Sequence, residues 1–173
     1  GECDYAFTPP GEAELVARAA ALRAAQAAWW QAGLAHRQAV LLRFAEAVEA
    51  REEAITAALA IDTGRYHIAQ GEVRNVPRNI RRWCERAPAV LAVGERESAV
   101  MPGLRMTQQL VPYPLVGAIS PWNFPLALSF IDAVPALLAG CACLIKPSEV
   151  TPRFITPLNA AIAAVPELAA VLA

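Results

Sequence analysis

Apolar residues recur through the first half of the chain at the three-to-four-residue spacing of helices, and through the second half in short unbroken runs. Residues 9 to 33 read as a helix: Thr8 is placed to cap it, Pro9 and Pro10 suit its first turn, and Gly33 can end it. A second helix carries Leu41, Phe44, Ala45 and Val48 at i, i+3, i+4 and i+7, and Ile55 and Leu59 extend the stripe. Arg43, Glu46, Glu49 and Glu53 fall off the stripe and face water. Gly64 in "IDTGR" stops this helix, because glycine tolerates the left-handed cap. A third helix is expected over about 65 to 86, weakened by Gly71, with Pro77 a place to kink and an end near Pro88.

The pattern then changes. "ESAVMPGLRMTQQLV" predicts a β-hairpin about the turn dipeptide Pro102-Gly103. "PLVGAIS" is an apolar run of strand type. "PLALSFIDAVPALLAG" is helical, with Pro125 in its first turn, Pro135 placed to bend it and Gly140 as its stop. "CACLIK" is a second short strand, "PSEVTP" a turn, and "RFITPLNAAIAAV" begins another helix. The expected fold class is therefore α/β: N-terminal helices and a β-hairpin leading into the first βαβα unit of a doubly wound parallel sheet. Strands apolar throughout suggest a sheet covered on both faces, joined by a right-handed crossover. Ligands of such sheets bind beyond the carboxyl ends of the strands. "SPWN" follows the first strand there, and "KPSE" follows the second.

With 173 residues the chain can bury one ordinary core, and 56% hydrophobic against 18% charged residues excludes a disordered polyelectrolyte. A net charge of −1 gives no case for a nucleic-acid partner, and the arginines of "RNIRRWCER" (78 to 86) read as a solvated helix face. "GECDYAFT" has neither a basic start nor an apolar stretch, so no signal peptide is expected. The charge-free run Met106 to Ile131 is long enough to span a membrane. It contains Pro112, Pro114, Pro121 and Pro125, which argue against a spanning helix and a membrane partner. Cys3, Cys84, Cys141 and Cys143 include no CxxC pair, and with only His36 and His67 there is no zinc spacing. Cys141 and Cys143 would share one side of a strand and read as buried structural thiols, and a reduced, cytoplasmic chain is the default expectation.

Two polar clusters carry candidate chemistry. Asn123 has an amide that donates two hydrogen bonds. Restrained at a strand end by Pro121 and Pro125, with Trp122 beside it, such a donor suits a developing oxyanion. The competing reading is an asparagine capping the helix that starts at Pro125. Lys146 and Glu149 stand three apart across Pro147 and Ser148. An ammonium and a carboxylate so placed can bind a diol such as a ribose, and Glu149 would repel a 2′-phosphate, favouring NAD over NADP. They read equally well as a surface ion pair with a helix N-terminal carboxylate. No GxGxxG fingerprint is present in the chain.

"GAISPWNFPLALSFIDAVPALLAGCACLIKPSEVTP" (117 to 152) closely resembles the N-terminal part of the cofactor-binding domain of NAD(P)-dependent aldehyde dehydrogenases, with "PWNFP", "PALLAG" and "KPSE" matching in order and spacing. "DTG" at 62 to 64 and Trp29 and Trp30 also fall where that family has such residues, and the resemblance covers about residues 12 to 173. It implies an oxidoreductase that converts an aldehyde to a carboxylic acid with NAD, NADP being less favoured. The route is a cysteine thiohemiacetal, hydride transfer and thioester hydrolysis. By position it implies Asn123 as the oxyanion-stabilising amide and Lys146 and Glu149 as adenosine-ribose ligands. Ile119, Ser120, Pro121 and Trp122 would line the cofactor cleft.

The same resemblance implies that residues 1–94 are the helical part of the cofactor domain, 95–113 a hairpin of an oligomerisation sheet, and 114–173 the first half of the nucleotide-binding sheet. The complete enzyme would be a homo-oligomer. The family's glycine-rich nucleotide segment, its Glu-Leu-Gly-Gly general-base motif and its Gly-Gln-x-Cys nucleophile are not in this sequence, and its next strand is expected after the closing "VPELAAVLA". Neither Cys141 nor Cys143 matches the nucleophile. The expectation is about the first third of such an enzyme, with no catalytic domain and no activity on its own. The alternative is a catalytically incomplete interaction or structural fragment of the same fold, whose open sheet edges recruit another chain.

Overall fold

The computed structural model describes residues 5 to 173, so Cys3 lies outside the described residues. Helices α1 (Glu12–Gln31), α2 (Gly33–Glu49), α3 (Glu52–Thr63) and α4 (Tyr66–Val90) come first. Strands β1 (Glu95–Glu97) and β2 (Arg105–Thr107) form an antiparallel hairpin around Gly103, whose φ of +81° suits glycine. Strands β3 (Leu115–Ile119) and β4 (Ala142–Lys146) are a parallel pair connected through α5 (Pro125–Ala139), and α6 (Ile155–Ala163) and α7 (Pro166–Ala169) follow. The α/β order expected from the sequence is the one observed.

Several boundaries differ from the sequence pattern. Thr8, Pro9 and Pro10 precede α1, which is entered from extended Gly11 without a side-chain cap. A proline disfavours helical geometry in the residue before it, so two in a row hold the chain extended. Gly33 ends nothing; at φ +83° it is the pivot into α2. The long second helix is two helices, because Arg51 leaves helical geometry at φ −119° and turns its guanidinium back onto Ala47 O at 3.1 Å. Val48 and Ile55 are seven apart, in phase with an unbroken helix, so the apolar stripe carried no mark of the break. Helix α4 runs through both Pro77 and Pro88 to Val90. Pro77 is buried beside Val73, Val76 and Ile80, and that burial offsets its missing hydrogen bond.

The core lies where α5 packs on α4, α2 and the two strands. Phe44, Ile55, Leu59, Ile80, Leu126, Leu137 and Leu138 are almost wholly buried, and Phe44 meets Phe130 with ring centroids 5.4 Å apart. The arginine face of α4 is partly stapled to its neighbours: Arg81 makes two hydrogen bonds to Glu49 and Arg74 one to Glu52. Strand β4 is buried in its first half, but β3 leaves Gly117 and Ile119 exposed. The strands are thus not covered along both faces as their apolar composition suggested. After α7 the chain returns to β4. Cys143 N donates to Val171 O at 2.8 Å and Ile145 N to Ala173 O at 2.7 Å, in parallel pairing. A single parallel bridge therefore joins Cys143 to Leu172 at the end of the closing segment. No helix of the described residues is long and apolar enough to cross a membrane.

Candidate functional site

The parallel register pairs Ile119 with Lys146, so β3 and β4 end at the same level. Ser120 N then donates to Lys146 O at 3.0 Å and extends the ladder by one residue. The "SPWN" and "KPSE" segments therefore leave the sheet side by side. Thr151 Oγ1 donates to Trp122 O at 3.4 Å and ties the two loops together further out.

Within this corner the residues differ in what they offer. Ile119 is 83% and Trp122 58% exposed, and Pro121 and Asn123 are also exposed. Ser120 is buried; its hydroxyl lies 2.9 Å from Ser129 Oγ, which also donates to Pro125 O at 2.6 Å. Ser120 thus ties the turn onto α5. Lys146 Nζ pairs with Glu149 Oε2, and that hydrogen bond is the main reason the Glu149 carboxyl lies below its ordinary value. Both side chains are exposed. Such a solvated pair is weak, so a ligand with hydroxyl groups can compete for both ends.

Asn123 does not cap α5. The cap position is Phe124, which has no side-chain acceptor, and α5 has no cap from its own sequence. The acceptor comes from α4: Glu72 Oε1 takes the N–H of Leu126 at 3.1 Å. Among the described residues the Asn123 side-chain amide has no hydrogen-bond partner, while its backbone carbonyl accepts from Arg65 Nη2. Glu72 is buried, and burial pushes its carboxyl up to about 7, against the opposing pull of the Leu126 and Ala127 N–H groups and the Arg65 charge.

Three residues of the corner were not found by pattern reading: Asp62, Arg65 and Glu72. Gly64, at φ +68°, ends α3 and turns the chain between Asp62 and Arg65. The Asp62 carboxylate, nearly inaccessible, pairs with the Arg153 guanidinium and accepts the Arg153 N–H at 2.9 Å, holding the loop that follows "KPSE". Arg65 reaches the other loop at Asn123 and Phe124. The available signal was the crowding of Asp62, Thr63 and Arg65 around a helix-stopping glycine. Glu72 had none, since it looks like any polar residue between buried positions. Cys84, Cys141 and Cys143 are buried and free, and burial raises all three thiols, Cys143 to about 12.

A family model described as "Aldehyde dehydrogenase family" matches residues 6–170. A protein of Mycolicibacterium smegmatis, provisionally named an NADP(+)-linked succinate-semialdehyde dehydrogenase, is 39% identical over 155 residues, covering 88% of this chain and 30% of its own. The solved structure of a provisionally named aldehyde dehydrogenase PutA from Anabaena variabilis superposes with a TM-score of 0.95 at 45% identity, over 99% of this chain and 36% of that one. An NAD-dependent benzaldehyde dehydrogenase from Corynebacterium glutamicum superposes with a TM-score of 0.82 at 29% identity, over 95% of this chain and 36% of its own. The chain thus spans about a third of the length of these relatives, whose names include both NAD and NADP.

Proposed function

The chain belongs to the aldehyde dehydrogenase family, and from that premise we propose that it forms the cofactor-side wall of an enzyme that oxidises an aldehyde to a carboxylic acid. The observation that carries this reading is the uncommitted Asn123 amide at the carboxyl end of β3, beside the exposed Lys146 and Glu149 of the neighbouring strand end. A cysteine thiolate adds to the aldehyde carbon and leaves a negative charge on its oxygen. The Asn123 N–H groups donate to that oxygen and lower the barrier. A nicotinamide cofactor would supply the acceptor for the hydride that leaves this adduct's carbon, giving a thioester that water converts to acid and free thiol.

Lys146 donates to, and Glu149 accepts from, the hydroxyls of the cofactor's adenosine ribose, with Ile119, Pro121 and Trp122 as the apolar floor beside them. Glu149 repels a 2′-phosphate, which favours NAD. The thiolate is supplied by a cysteine other than Cys84, Cys141 and Cys143, because burial holds those three as thiols. The hairpin and the open face of β3 pack against further protein in the assembled enzyme, a homo-oligomer.

The test is Asn123→Ala in an enzyme containing this chain. We expect kcat to fall about 10²–10³-fold with an unchanged unfolding midpoint. An unchanged kcat under conditions where chemistry is rate-limiting removes the oxyanion role. The 173-residue chain alone is expected to produce no NADH from any aldehyde, and steady NADH production would overturn that part.

A further inference from the structure

Phe124 occupies the cap position of α5 without an acceptor, and Pro125 has no N–H. Leu126 therefore carries the first α5 donor that needs a partner, and Glu72 accepts it at 3.1 Å. Seven residues before Glu72, Arg65 donates to Asn123 O and stands over the Phe124 ring, with Cζ 5.4 Å from the centroid. Arg65 is the residue that leads into α4 and Glu72 lies two turns inside it, so both reach the start of α5 from one end of α4. They grip the chain on either side of Pro125, one at the carbonyl of Asn123 and one at the N–H of Leu126. Neither grip uses the Asn123 side chain.

We propose that Arg65 and Glu72 are positioning residues for Asn123: together they hold the turn from the N-terminal end of α4 and relieve its amide of helix capping, so that it stays exposed and uncommitted. Asparagine next to a helix N-terminus ordinarily bonds to the free N–H groups itself. Here a carboxylate from another helix has taken that work, and a cation holds the carbonyl that would otherwise move with it. The catalytic consequence rests on the reading of Asn123 as the oxyanion donor; the structural consequence does not.

Two measurements separate them. The first uses the 173-residue chain and follows the side-chain amide resonances of Asn123 and, as a control on α6, Asn159 by 15N NMR. Arg65→Met and Glu72→Ala should each shift the Asn123 signal and leave Asn159 in place, and Glu72→Gln replaces Glu72→Ala if the latter does not fold. An Asn123 signal unmoved in both variants overturns the proposal whatever the catalytic role.

The second measurement uses the enzyme that contains the chain. Arg65→Met should lower kcat by about 10- to 100-fold, as a small misplacement of a catalytic group does, with little change in KM. Arg65→Lys, which keeps a cationic donor, should recover most of the loss. In an Asn123→Ala background Arg65→Met should cost nothing further, because its effect runs through Asn123. Full kcat in Arg65→Met, or an undiminished additional loss in the Asn123→Ala background, overturns the catalytic half. If Asn123→Ala itself leaves kcat intact, the oxyanion reading fails while the NMR result still decides the positioning.

Discussion

The two ends of α5 are both completed by side chains from distant parts of the chain, yet one is sealed and the other is left open. At the C-terminal end Gln26 donates to Gly140 O at 2.7 Å, Trp29 to Leu137 O at 2.9 Å and Arg37 to Leu138 O at 2.9 Å. All three donors are buried, and Arg37 also reaches Trp30 O at 2.9 Å. Cationic and neutral donors suit the carbonyl end of a helix, where the backbone leaves partial negative charge. At the N-terminal end a carboxylate, Glu72, meets the N–H groups, in keeping with the opposite sign there. That end exposes Asn123, Phe124 and Trp122. One helix thus anchors the fold with one end and presents a candidate site with the other.

The comparison breaks most visibly if each end is struck separately. Asn123→Ala should cost activity and not stability, whereas Arg37→Met should do the reverse. It strands the Leu138 carbonyl in the core and removes the part-buried bond to Trp30 O, and we expect about 3 kcal/mol of lost stability by urea unfolding. A loss below about 0.5 kcal/mol, the level of an ordinary surface change, would show that the sealed end is not an anchor.

Gly140→Ala comes next. Gly140 sits at φ +99°, and an added Cβ would lie 2.8 Å from Trp30 Cδ1. Backbone strain alone costs about 1–2 kcal/mol, and the contact adds to it. A thermal midpoint equal to that of the unaltered chain would contradict this packing.

The last effect expected is at the open end and concerns pH. The Glu72 carboxyl is raised from an ordinary 4.5 to about 7, first by burial. The folded chain therefore binds this proton more tightly than the unfolded chain does. The stability so gained is complete below about 4.5 and is lost as pH rises through about 7. Glu72→Gln removes this dependence, so the difference in stability between variant and unaltered chain should change between pH 4.5 and 7 and level off above. Parallel stability curves across that range would mean that Glu72 titrates normally.

Much of this was legible locally. Gly64 and Gly140 stop helices as their position in the pattern indicated, and both take positive φ. The apolar stripe from Leu41 to Leu59 is buried as its spacing required, although the helix breaks at Arg51. "SPWN" and "KPSE" stand at adjacent strand ends because strand, helix and strand in that order make a parallel pair. The bland reading of Asn123 as a cap was reasonable on spacing, since asparagine before a proline-led helix usually caps it. It failed because Glu72, 54 residues away from Leu126, already filled the role.

What the sequence determined by itself was the kind and order of the elements, the places where glycine had to turn the chain, and the sheet edge at which polar residues collect. Those depend on periods of two and 3.6 residues and on backbone preferences, which act between near neighbours. What the tertiary structure alone decided was who satisfies the ends of α5. The donors lie 101 to 114 residues from their carbonyls at one end, and the acceptor lies 54 residues from its N–H at the other. A helix terminus needs a partner of the right polarity within about 3 Å, from anywhere in the chain. Local pattern cannot name that partner, and here it is the choice of partner that leaves the Asn123 amide without a bond among the described residues.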